Sequence, residues 1–314
     1  MTISGNPEEE YAGPEEEVLS LVSLGLSYAA IAEHFRRQHG VVVPSERIAA
    51  MASSADPEMS EWLQRPLDSV YVVMWVDAIR LKIRGTEMAN RPVYVVFAID
   101  VNGRRDILGL WVGDGRAESA RFWLRVLTEV QNRGVSDVLL LACDGLPGLP
   151  QVVNTVWPEA LVQRCIVHLV RRSWELAGKQ RHWAKVGPAL RRVFNAPTMM
   201  RAMDALEEFE DEWGERFPAI VKLWRKDWAD ISPFLELPFH VRRIVSSTNP
   251  VESLNAKIRK VSNVRIYFPD EASALRTLYL AMVKYWSPRS MREWPEALNV
   301  FHTYFPGRLF LDAD

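Results

Sequence analysis

The chain has 314 residues, 48% of them hydrophobic. That is enough for one large domain or two smaller ones, and no apolar run approaches the roughly 18 residues of a membrane span. The net charge of −2 hides an asymmetry: residues 1–20 carry six acids and no Lys or Arg, which leaves the remainder at +4, a modest excess that permits nucleic-acid binding without arguing for it.

The opening Met1-Thr2-Ile3-Ser4-Gly5-Asn6-Pro7-Glu8 has neither the basic nor the apolar segment of a secretory signal. Two cysteines, Cys143 and Cys165, cannot build a disulfide framework, which fits a reducing cytoplasm. Residues 1–17, with Pro, Gly and Glu, read as a disordered acidic leader. Residues 18–66 then form a small N-terminal helical region, with Leu19, Val22, Leu26, Ile31 and Phe35 at helical spacing. Ser27 can N-cap a helix over Tyr28–Gln38, Gly40 ends it, and Pro44-Ser45 starts another over Glu46–Met51. Two helices around a Gly-containing turn suit a helix-turn-helix, and equally a helical hairpin used for dimerisation. Residues 56–68, with Pro57 and Pro66, read as a connector.

Three strand-like runs follow: Val70–Lys82, Pro92–Val101 and Asp106–Val112. Val101-Asn102-Gly103-Arg104 is a hairpin signal, since Asn-Gly tolerates positive φ. Glu118–Arg133 is an amphipathic helix with Phe122, Leu124, Val126, Leu127 and Val130 inward. Val138–Cys143 is a fourth strand, Leu149–Val156 a short helix and Ala160–Cys165 a fifth strand. A three-strand meander, a helix and a parallel strand is the order of a ribonuclease-H-like core, an α/β fold with a mixed sheet and flanking helices, over residues 67–165. Residues 166–245 read as an all-α insertion rich in Trp (Trp174, Trp183, Trp213, Trp224, Trp228). These rings serve core packing or, for one or two of them, stacking on unpaired bases. Residues 246–314 carry helices over Pro250–Val261 and Asp270–Tyr285 and a less regular tail.

Asp77 and Asp144 each end an apolar run, and Glu252 opens a helix. Two acids at strand tips plus one on a helix suit hard divalent cations such as Mg²⁺, and two such ions about 3.5–4 Å apart serve phosphoryl transfer. Each residue also has a plain reading. Asp77 could be a solvated acid at a strand end, although the strand-like pattern continues through Ala78-Ile79-Arg80-Leu81. Asp144-Gly145 is a common turn dipeptide. Glu252 sits where a capping box with Asn249 and Pro250 would place it. Cys165 and His168 are too few for a structural zinc site, which takes about four ligands. Lys257, Arg259 and Lys260 on the Glu252 helix, then Arg265, form a basic track beside the acids, and Arg242-Arg243 and Arg171-Arg172 add to it if they converge.

Taken together, five segments resemble the Mutator-type transposases of bacterial insertion sequences. They are Val76-Asp77-Ala78-Ile79-Arg80-Leu81-Lys82, Ile107-Leu108-Gly109-Leu110-Trp111-Val112-Gly113, Cys143-Asp144-Gly145-Leu146-Pro147-Gly148, Cys165-Ile166-Val167-His168 and Thr248-Asn249-Pro250-Val251-Glu252-Ser253-Leu254-Asn255. The resemblance spans roughly residues 60–300. It implies a ribonuclease-H-like DDE transposase with a helical insertion before the catalytic glutamate helix. Asp77, Asp144 and Glu252 are then the catalytic metal-binding triad for two Mg²⁺ (or Mn²⁺) ions, and Cys165 and His168 an auxiliary pair. Asn255, Lys257, Arg259, Lys260, Arg265, Arg242 and Arg243 are the expected DNA contacts. The implied partners are double-stranded DNA, both terminal inverted repeats and target, and further copies of the chain in a homodimer or larger assembly, in the cytoplasm at the nucleoid. The chain departs from the family at Arg265-Ile266-Tyr267-Phe268-Pro269, where Arg-Gly-His-Phe-Pro is usual, and in its shorter N-terminal region. These departures motivate one competing reading, a non-catalytic transposase-derived DNA-binding protein; a metal-dependent nuclease without strand transfer is a further alternative.

Overall fold

The computed structural model describes residues 15–245 except 86, 116 and 117, and then 261, 264, 265, 267–284 and 294–309, with the side chains of 181, 239, 240, 243 and 284 left aside. Four helices lead: α1 (Glu15–Ser23), α2 (Tyr28–His39), α3 (Ser45–Ser53) and α4 (Asp56–Gln64). Ser27 caps α2, its Oγ accepting from the Ala30 N–H at 3.2 Å, and Gly40 closes the helix in the left-handed region at φ 70°. Two expectations are corrected here. Glu15, Glu16 and Glu17 form the first turn of α1, where the helix dipole favours acids, rather than the end of a leader. Residues 56–64 are a helix rather than a connector, because Pro57 falls in the first turn, where its missing N–H has no helical partner to lose.

The sheet follows. β1 (Val70–Arg84), β2 (Met88–Asp100) and β3 (Arg105–Val112) form an antiparallel meander. After α5 (Ala120–Asn132), β4 (Asp137–Cys143) runs parallel to β1, and α6 (Leu149–Val156) leads to β5 (Leu161–Arg164), parallel to β4. The strand order is β3-β2-β1-β4-β5, a mixed five-stranded sheet of an α/β fold. In the β2–β3 turn positive φ falls on Gly103 and not on Asn102. The buried Asp100 carboxylate shapes this turn by accepting the N–H groups of Asn102 at 2.8 Å and Arg104 at 2.7 Å. On α5 Val126, Leu127 and Val130 are inward as expected and Phe122 packs partly buried beside them, while Trp123 is buried and Leu124 is 44% exposed.

Alternation along the strands divides the core in two. Met74, Val76, Val96, Ala98, Leu141 and Cys143 pack with Trp123, Leu127 and Val153 of α5 and α6. Val73, Trp75, Val95, Phe97, Leu140 and Ala142 face the other way, toward the helices that follow β5. Those are α7 (Ile166–Leu176), α8 (Gln180–Phe194), α9 (Met199–Trp213), α10 (Pro218–Lys226), α11 (Trp228–Glu236) and α12 (Phe239–Val245). Trp224 is fully buried, its Nε1–H donating to Ser173 Oγ at 2.9 Å. Trp183, Trp213 and Trp228 are half-buried and pack against that core, and Trp174 is half-buried.

The chain resumes with α13 (Glu271–Tyr279), which runs into a π-helical turn over Leu280–Lys284, and α14 (Trp294–Tyr304). Tyr279 and Leu280 complete the small core of the N-terminal helices. Arg276 locks that contact with two 2.6 Å bonds to the Asp56 carboxylate and one of 3.0 Å to the Tyr28 hydroxyl.

Candidate active site

Register places the two expected aspartates. Val76 pairs with Cys143 in the parallel ladder, so Asp77 and Asp144 are the next residues on adjacent strands. β4 ends there, while β1 runs on to Arg84 paired with β2. The other edge of β1 is covered at its tip by Phe268, which donates to Lys82 O at 2.8 Å and accepts from Arg84 N at 2.9 Å. Between these two coverings a cavity of about 620 Å³ opens. It is lined by residues 76–80 together with Asp144, Leu146, Arg164, His168, Arg171, Arg172, Glu175 and Leu223. By strand alternation both aspartates share the face of Trp75 and Ala142.

Asp77 is largely covered, its side chain 13% exposed, whereas Asp144 is exposed. Asp77 Oδ1 accepts the Ala78 N–H at 2.8 Å and lies 3.4 Å from His168 Nε2. Cys165 caps the start of α7, its N–H donating to Cys143 O at 2.8 Å, and His168 is in the helix's first turn. The backbone thus ties the Cys165–His168 turn directly to the end of β4. Burial alone would lower the His168 pKa; the adjacent Cys165 sulfur and the Asp77 and Asp144 carboxylates outweigh it and raise it to about 9. His168 Nδ1 is buried with no hydrogen-bond partner among the described residues.

Arg164, at the end of β5, was not singled out from the sequence. Its Nη1 lies 2.9 Å from Asp227 Oδ1, and the Asp227 side chain is 3% exposed. Burial pushes the Asp227 carboxyl up, and Arg164 opposes it. The guanidinium also packs on Gly145, where a Cβ would sit 2.9 Å from it. Gly145 therefore has two reasons to be glycine, its φ of 48° and this contact. One arginine couples the Asp144 loop to the helical insertion. The signal available in sequence was slight: an Arg at a short strand's end, 63 positions from its partner.

The basic residues divide. Arg171 and Arg172 line the cavity with Arg80 and converge on the aspartates. Arg242 and Arg265, expected as DNA contacts, are buried in this structure. Arg242 is 2% exposed and donates to the carbonyls of Phe194 at 3.3 Å and Ala196 at 2.7 Å. Arg265 is 5% exposed, donates to Tyr267 O at 3.3 Å and Thr277 Oγ1 at 3.4 Å, and lies over the rings of Tyr28 and Phe268. Arg242 is held by carbonyls more than forty positions away, and Arg265 by both neighbouring and distant residues. Glu252, Asn255, Lys257, Arg259 and Lys260 lie outside the described residues, as does the Arg243 side chain.

Two carboxylates offer a hard cation the right oxygens but an incomplete set. Among the described residues no group of three His, Cys, Asp or Glu ligand atoms gathers at this cavity. Val245 O, at the end of α12, accepts from Trp75 Nε1 at 3.2 Å, two residues before Asp77.

The sequence pattern of the family described as "Transposase, Mutator family" matches residues 12–287. The chain belongs to that family. The match takes in the N-terminal helices, well ahead of the segments that carry the resemblance in the sequence. A transposase for insertion sequence element ISRM3 from Rhizobium meliloti is 38% identical over 302 residues, covering 94% of this chain and 74% of the relative. A probable insertion sequence transposase from Corynebacterium diphtheriae is 38% identical over 268 residues, 85% of this chain and 77% of its own. A transposase for element IS905 from Lactococcus lactis is 25% identical over 278 residues, with 88% and 70% coverage.

Proposed function

We propose that this member of the Mutator family is a DDE transposase on a ribonuclease-H-like core, which cuts DNA at the ends of an insertion sequence and joins the freed 3′-OH to target DNA. The observation that carries this reading is that Asp77 and Asp144 are the next residues after the last pair of the parallel β1–β4 ladder, Asp77 within β1 and Asp144 just past the end of β4, both lining one cavity. Glu252 is the third ligand. Its segment leaves the described residues at Val245, beside β1, and seven residues reach at most about 25 Å, ample for a return to Asp77. A capped helix start would also aim the carboxylate.

Asp77, Asp144 and Glu252 would hold two Mg²⁺ or Mn²⁺ ions, whose chemistry is to activate a hydroxyl oxygen and stabilise the departing 3′ oxygen. In cleavage, water's oxygen bonds to phosphorus, the P–O3′ bond breaks, and the 3′ oxygen leaves as a hydroxyl. In joining, that 3′-OH attacks a target phosphodiester and displaces another 3′-OH, so the bond count is conserved and no protein nucleophile is required. Arg80, Arg171 and Arg172 draw the phosphate backbone to the cavity mouth. Arg164 fixes the Asp144 loop through Gly145. His168 keeps Asp77 oriented. Two ends must be joined together, so the active form is a homodimer or larger assembly on duplex DNA at the nucleoid. Among the described residues no helix is long and apolar enough to cross a membrane.

The test uses the full chain, Mg²⁺ and DNA carrying the ends of its own element. Nicked ends and joined products are expected, and Asp77→Asn, Asp144→Asn and Glu252→Gln should each lose both while retaining DNA binding. Nicking without joining would favour a plain nuclease; binding with neither would favour a DNA-binding derivative. Full activity in Glu252→Gln, with only reduced thermal stability, would return that residue to a capping role.

A further inference from the structure

A second ligand cluster lies in the N-terminal helices, away from the strand ends. Glu17 projects from α1, and His34 and His39 from α2. Two of the three border the core: Glu17 precedes buried Val18, and His34 precedes buried Phe35, while His39 ends α2 and is exposed. The buried side chains of Val18, Val22, Ile31 and Phe35 hold the two helices together beneath the cluster. Both imidazoles aim Nε2 at the same oxygen, Glu17 Oε1, at 3.0 Å from His34 and 3.1 Å from His39. One ligand atom from each of the three lies within 4.8 Å of the other two. Zinc takes N and O ligands at about 2.0–2.2 Å in a tetrahedron, whose edges are then roughly 3.3–3.5 Å. The observed separations are short of that by a few tenths of an ångström, a difference side-chain rotation covers. The side chains are 27%, 31% and 34% exposed, which leaves a fourth position open to water. The neighbouring Arg36 and Arg37 are both paired with Glu33.

We propose that Glu17, His34 and His39 form a zinc-class metal site that clamps α1 to α2. Imidazole nitrogens select a borderline first-row dication over Mg²⁺, which prefers an all-oxygen set. The site is separate from the strand-end carboxylates in residues and in chemistry. Its value lies in the size of the unit it closes: helices α1–α4 bury a small core, and small helical units gain most from a metal staple. A rigid α1–α2 pair also keeps Tyr28 in place for Arg276, the contact that docks these helices on α13.

The experiment uses the full-length chain stripped with a chelator, then given zinc chloride alone. Bound metal per chain is measured by elemental analysis, affinity by competition with a chromophoric chelator, and unfolding by a thermal scan. One tightly bound zinc per chain is expected, with a rise in the unfolding temperature that excess Mg²⁺ does not reproduce. His34→Gln, His39→Gln and Glu17→Gln should each weaken zinc binding at least tenfold and remove the temperature rise, whereas Asp144→Asn and His168→Gln keep both. Far-UV spectra check that the variants fold. His39→Cys guards against a variant that fails to: it should still bind zinc, and with Co²⁺ should show a thiolate charge-transfer band. No zinc bound by the wild-type chain, equal affinity in the glutamine variants, no such band with His39→Cys, or zinc lost with His168→Gln and kept in the N-terminal variants would overturn the proposal.

Discussion

The cavity at the strand ends and the seam between the N-terminal helices and α13 use the same kinds of residue to opposite ends. At the seam, Arg276 meets Asp56 with two short bonds and Tyr28 with a third, and Arg265 is sandwiched by aromatic rings. Those charges are consumed by the fold. At the cavity, Asp144 is exposed, His168 Nδ1 has no hydrogen-bond partner among the described residues, and Arg80 and Arg171 border open space, while Arg172 is paired with Glu175 at 2.7 Å. Charges fully matched inside the chain build structure; charges gathered with their matching left to a ligand mark a site.

Several substitutions would break or sharpen that contrast. The largest effect belongs to Asp77→Asn and Asp144→Asn, each expected to lower cleavage at least a thousandfold, about 4 kcal/mol of barrier. Their unfolding temperatures should stay within about 2 °C of wild type, because neither carboxylate is required by the core. An equal loss of stability would place them with the seam instead. His168→Ala should lower cleavage about ten- to a hundredfold, the usual cost of losing a group that orients a metal ligand, with a smaller effect from His168→Gln. Arg276→Ala should do the reverse. Removing a largely buried cation from the half-exposed Asp56 costs about 2 kcal/mol, or roughly 4 °C in a chain this long, while cleavage per folded molecule stays within about twofold.

The smallest effect is a pH dependence away from both regions. Glu118 is buried and accepts from the Tyr94 hydroxyl at 3.3 Å. Burial first, and Asp114 second, raise its pKa in the folded chain. A carboxyl raised on folding contributes stability at low pH and loses it as pH climbs from the unfolded value near 4.5 through the folded one. Glu118→Gln should therefore gain on wild type as pH rises from 4.5 to 7, by about 1–2 °C at neutral pH. A thermal scan across that range checks it, and a constant offset would show that charge is not the cause.

Local signals account for much of what the chain discloses in advance. The apolar runs before Asp77 and Asp144 mark β1 and β4, and α6 spans Leu149–Val156 as its Gly-Pro-bounded pattern indicates. What escaped depended on distant partners or on single-residue offsets. Arg265 resembles a DNA contact until Tyr28 and Thr277 fold over it, and Arg242 until Phe194 and Ala196 present their carbonyls. Pro57 reads as a breaker, although the first helical turn tolerates it. Arg164 and Asp227 are coupled only by the sheet's approach to α11. Glu17, His34 and His39 follow no ligand spacing along the chain and meet because two helices pack.

The central claim is that Asp77, Asp144 and Glu252 surround the same ions. Iron(II)-directed hydroxyl-radical cleavage of the polypeptide tests it most directly, with zinc first added to fill the N-terminal cluster and iron then replacing Mg²⁺. Backbone cuts are expected at residues 76–78, at 143–145 and around 252, all three suppressed together by excess Mg²⁺. Cuts near the two aspartates with none around 252, or a third cut at an unrelated segment, would contradict it.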